Sequence, residues 1–84
     1  MTALEATLAQ TIICTVLSLE LADETLISPD YSVCLMESIA AELEALSREQ
    51  KVLLCERMQE MSTTARADEA RILSELPASL GIAS

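Results

Sequence analysis

The chain has 84 residues, 51% of them apolar, with one aromatic side chain (Tyr31), no histidine and a net charge of −9. A single domain over residues 1–84 covers only about 60% of the surface its unfolded form exposes, so some of the apolar surplus is expected to meet a second chain. One Gly and two Pro exclude a turn-rich β fold. The wealth of Ala, Leu, Glu and Met predicts an all-α, antiparallel bundle of three to four helices, assembled as an oligomer.

The first predicted helix starts at Thr2, which forms a T-x-x-E capping box with Glu5. Leu4, Leu8, Ile12, Thr15, Leu19, Ala22 and Leu26 then make a continuous stripe at helical spacing, read as the core face. A second band, Ile13, Leu17 and Leu21, has Cys14 beside it. A helix with two apolar bands is either central in a bundle or shared with another chain. The second band is therefore expected to be the oligomer interface, in a homodimer or a heterocomplex.

Ser28-Pro29-Asp30 restarts the chain as a second helix: a capping hydroxyl, a proline suited to the first helical position, and a carboxylate that complements the positive helix start. This helix is predicted to run to about Leu46, with Leu35, Met36, Ile39, Leu43 and Leu46 facing the core. Ser47 and Gln50 form a second capping box, so the third helix follows with almost no loop. Its stripe is Leu54, Met58, Met61 and Ala65. Ser62-Thr63-Thr64 is poor helix material and predicts a break, followed by a short fourth helix over 65–76; the alternative is one continuous helix, on which Ile72 and Leu76 keep to the same stripe. Pro77 is expected to end that helix, leaving 77–84 as a tail pinned by Leu80 and Ile82.

Charge is distributed unevenly. Residues 1–47 hold Glu5, Glu20, Asp23, Glu24, Asp30, Glu37, Glu42 and Glu44 and no base, whereas Arg48, Lys51, Arg57, Arg66 and Arg71 all follow. Such a field repels nucleic acid and lipid headgroups and attracts basic proteins. On the second helix Asp30, Glu37 and Glu44 recur every seven residues, with Cys34 and Ala41 between them. Charges opposite an apolar stripe are ordinarily a solvated face. Here no base offsets them, and this row is the candidate partner-binding face.

The chemistry of an enzyme is missing from the pattern. Without histidine the commonest general base and zinc ligand are gone, and three cysteines on three helices lack a fourth ligand for a structural zinc. Cys14, Cys34 and Cys55, an odd number spaced 20 and 21 apart, make no disulfide framework. Cys14 and Cys55 are expected as small buried hydrophobes, and Cys34, off the core stripe, as an exposed or interfacial thiol. Glu42/Glu44 and Glu56/Glu60 are pairs on solvated helix faces, and no phosphate loop or nucleophile motif occurs. No catalytic residue, cofactor or metal is expected. The longest uncharged run, 6–19, is short of the roughly 20 apolar residues of a membrane span, and nothing basic precedes it as in a signal peptide. The expectation is a cytoplasmic protein.

Two resemblances refine this. Ala45-Leu46-Ser47-Arg48-Glu49-Gln50, together with Glu69-Ala70-Arg71-Ile72-Leu73-Ser74-Glu75-Leu76-Pro77, resembles small helical immunity proteins of interbacterial toxin systems, over less than half the chain. It implies a protein that neutralises a toxin effector by masking its active site, with a basic or cleft-bearing partner. The opening Met1-Thr2-Ala3-Leu4-Glu5 is similar to small helical co-chaperones of type III secretion needle subunits, which implies binding of an apolar client helix. A nucleic-acid mimic is a third class, but three carboxylates in a row on one helix fall short of a phosphate-like face.

Overall fold

A computed structural model describes residues 2–83 as four helices, α1 (Ala3–Leu21), α2 (Pro29–Leu43), α3 (Arg48–Ser62) and α4 (Ala67–Ser79), with no strand among them. Met1 and Ser84, the ends of the opening motif and of the predicted tail, lie outside the described residues.

Three helices start where a hydroxyl replaces a missing backbone acceptor. The Glu5 N–H donates to Thr2 Oγ1 (3.1 Å), the Tyr31 N–H to Ser28 Oγ (3.2 Å) and the Gln50 N–H to Ser47 Oγ (3.2 Å). At Ser47 the box is reciprocal, because the Ser47 N–H donates to Gln50 Oε1 (2.9 Å). At Thr2 the Glu5 carboxylate instead accepts from the Thr2 hydroxyl. The break at 62–64 is present: Ser62 Oγ and Thr63 Oγ1 each donate to a carbonyl three residues back, and α3 ends there. α2 stops at Leu43, three residues short of the expected Leu46, which lies in the turn that follows.

Pro77 does not end α4, contrary to expectation. It lies in the last turns, where its missing N–H forfeits a single helical bond, and the helix continues to Ser79. The true stop is Gly81, with φ of 69°. The Gly81 N–H donates to Ala78 O (3.2 Å) and the Ile82 N–H to Pro77 O (2.9 Å), the paired bonds of a Schellman motif. That turn folds the end of the chain inward, and Leu80 and Ile82 are buried in the core, as the sequence suggests.

The core is built by α1, α3, α4 and the terminal turn. Ile13, Val16, Met58, Leu73, Leu76 and Leu80 are its most enclosed side chains. Each is worth roughly 1.5–3 kcal/mol of apolar transfer. α3 and α4 pack most extensively on each other, α1 lies against both, and α2 leans chiefly on α1. α2 contributes one buried residue, Leu43, while Met36 and Ile39 pack against the core from its edge.

This arrangement turns much of the second band of α1 inward and the ends of the first outward. Ile13 and Leu17, expected at an interface, are buried inside the chain (0% and 9% exposed), whereas Leu21, the third residue of that band, is exposed at the helix end. Ile13 and Leu17 face α3 and α4, which the sequence could not place. The stripe expected to be core is open at its ends, where Leu4, Leu8 and Leu26 are 69%, 53% and 83% exposed, while Ile12, Leu19 and Ala22 between them are half-buried. By length and composition α1 is also apolar enough to cross a membrane, and only one of its sides is enclosed by the bundle.

Candidate partner-binding face

The acidic row is built by the backbone of α2 and its first turn. Ser28 and Pro29 fix where the helix begins, and from there a seven-residue repeat returns to one side of the cylinder every two turns. Asp30, Cys34, Glu37, Ala41 and Glu44 are all exposed. Glu44 follows the last helical residue but keeps helical dihedrals (φ −61°, ψ −26°), so the row is not interrupted. It spans about 21 Å.

Ion pairing separates the two halves of the molecule. The pairs are Arg57–Glu60 (3.2 Å), Arg66–Asp68 (3.8 Å), Arg66–Glu69 (2.7 Å) and Arg71–Glu75 (3.6 Å), all in the second half. Among the described residues none involves an acid of the first 47 positions. Arg57 reaches toward that half only through a hydrogen bond to the Gln10 amide. Local hydrogen bonds, the Thr25 backbone N–H foremost, hold the Asp23 carboxyl below the usual range, so its charge persists in the turn between α1 and α2.

Three depressions flank α2. The largest, about 460 Å³, lies at its N-terminal end, with Leu19, Ile27, Val33 and Met36 in its wall and Glu20, Glu24 and Glu37 at its margin. Two more, of about 360 and 250 Å³, meet at Ile12 and Leu43 and run between α1, α2 and the start of α3. Ser32 Oγ donates to Leu19 O (3.4 Å), a polar tie between α2 and α1.

Compared with protein-family models, curated proteins and solved structures, the chain matches none.

The cysteines divide differently from the expectation. Cys14, expected in the core, is exposed beside the buried band of α1, because the bundle turns Ile13 and Leu17 inward and carries Cys14 outward. Cys34 is exposed within the acidic row. Cys55 is half-buried, its Sγ lies 3.7 Å from Ile82 O, and burial pushes its thiol up from the ordinary value. Among the described residues no group of three or more Cys, Asp or Glu is placed to hold a metal ion. The missed feature is the open band of α1. Its only sequence signal was the existence of two bands where a small bundle covers one.

Proposed function

We propose that the chain is a protein-binding module that neutralises a basic or cleft-bearing partner protein, in the manner of an immunity protein or antitoxin, through the acidic half formed by α1 and α2. The observation that supports this is the one-sided field: eight carboxylates in residues 1–47, no base among them and no ion pair to any of them among the described residues. Like charges without counter-charges cost stability, and a surface of this kind steers oppositely charged partners and raises their association rate. The activity is masking, so it draws on no cofactor and no catalytic group. The exposed thiols of Cys14 and Cys34 suit a reducing compartment, the cytoplasm in this reading.

Zero-length carbodiimide cross-linking in the source cell tests it, since that reagent joins carboxylates to lysines in contact. The expected result is one basic protein attached through carboxylates of residues 20–44 and lost in the Glu37→Lys/Glu44→Lys variant. Cross-links confined to residues 49–75, or unchanged in the variant, contradict the reading. A second reading, a small chaperone that masks an apolar client helix, is favoured by the uncovered leucines of α1. The two differ in the state of the captured protein: folded for an inhibitor, unfolded or partly helical for a chaperone.

A further inference from the structure

The open band of α1 and the exposed edge of α2 together form an apolar groove. Leu8 and Ile12 of α1, Ile39 and Leu43 of α2, and Leu46 and Leu53 beyond it line the two confluent depressions that meet at Ile12 and Leu43. The hydroxyls of Thr11 and Thr15 on its α1 wall are already satisfied. Thr11 Oγ1 donates to Thr7 O (2.8 Å) and Thr15 Oγ1 to Thr11 O (2.8 Å), so an apolar side chain settling there strands neither hydroxyl donor.

The molecule as a whole exposes more surface than its mass requires. The molecule exposes 5677 Å², against about 4,900 Å² for a folded monomer of its mass. The excess is close to the roughly 800 Å² that one partner contributes to a standard interface.

Charge selects the occupant. The ionised groups that line the groove are Glu5 and Glu42, and no Lys or Arg lines it. A second copy docked face to face would set two base-free acidic halves against each other, and an anionic lipid surface meets the same repulsion. We infer that the groove receives an amphipathic helix of a partner protein, about three turns long, whose apolar stripe is flanked by Lys or Arg. Helix-in-groove docking of this kind is read through anchors at i, i+3, i+4 and i+7. Leu4 to Thr15 offers about 17 Å of α1 for it. The inference rests on the reading that the chain binds a protein, but it uses a different surface, since none of Asp30, Glu37 and Glu44 lines this groove.

The probe is a fluorescein-labelled 18-residue peptide with Leu at those four anchor spacings and Lys on both flanks, titrated by anisotropy. A peptide of the same stripe with Glu flanks and a scrambled Lys peptide serve as controls. The expected result is saturable binding of the Lys-flanked peptide, at least tenfold tighter than either control. It should weaken at least tenfold in Leu8→Glu and in Glu42→Lys, whose circular dichroism melts verify folding. Equal binding of all three peptides, or binding unaffected by Leu8→Glu and Glu42→Lys, overturns the inference. So does light scattering that shows a dimer made monomeric by Leu8→Glu, which assigns the groove to a second copy. Loss of the cross-linked partner in Glu37→Lys/Glu44→Lys with no peptide binding removes the groove while leaving the acidic-face reading intact.

Discussion

Replacing Ile13 and Leu8 by alanine, one at a time, decides which side of α1 the molecule is built on. Ile13 is wholly enclosed and Leu8 is 53% exposed, although both sit mid-helix with the same chemistry. Ile13→Ala removes three methyl or methylene groups from a closed site and leaves a cavity that α3 and α4 cannot fill, a loss of about 2–5 kcal/mol. Leu8→Ala forfeits only the covered part of a side chain worth about 1.5–3 kcal/mol when fully buried, so about 1 kcal/mol. The whole domain, at about 0.05–0.15 kcal/mol per residue, holds only about 4–13 kcal/mol. Ile13→Ala therefore removes a large share of the stability, and a loss of about 3 kcal/mol lowers Tm by about 12–24 °C at this size. Leu8→Ala lowers it by about 4–8 °C. Urea unfolding followed by circular dichroism gives both values, with an unchanged slope showing that the native state is the same. Equal losses in the two variants, or a larger one for Leu8→Ala, refute the orientation of α1 and the groove with it.

Three further outcomes follow from local geometry. Gly81→Ala forces a Cβ onto a residue at φ 69° with open space around it, so the cost is backbone strain alone, about 1–2 kcal/mol in urea unfolding. Leu80→Ala, at a position 2% exposed, lowers stability by about 2–5 kcal/mol, although the residue lies beyond the last helix. Iodoacetamide followed by mass spectrometry should label Cys14 and Cys34 at least tenfold faster than Cys55, whose burial both shields the sulfur and disfavours the thiolate.

Helix starts were legible wherever a cap is a local event. Ser28 and Ser47 act on backbone groups three residues away, and no distant contact alters that. The start of α4 was less legible because Arg66 occupies the cap position without a side-chain hydrogen bond, and only the Ser62–Thr64 hydroxyls upstream marked the break. Pro77 misled because a proline in the last turns removes one bond that the Schellman turn at Gly81 outweighs. The choice between the bands of α1 was not legible at all. Ile12 and Ile13 lie about 100° apart on a helix and both bands are apolar, so only the positions of α3 and α4 decide which is enclosed. The acidic row, by contrast, needed only the seven-residue spacing and the absence of bases, and all five of its residues are on the surface.

The claim that the base-free acidic half recognises a partner is tested most directly by stopped-flow association with the protein captured by carbodiimide cross-linking. Wild type and Glu37→Lys/Glu44→Lys are compared at low and high ionic strength. Exposed charges act over a Debye length of about 30 Å at 0.01 M and about 8 Å at 0.15 M, so wild type should associate about tenfold or more faster at low salt and lose that advantage at high salt. The variant should be slow at both. Equal rates for the two proteins, with the same salt dependence, contradict the account and leave the row of α2 as a solvated face.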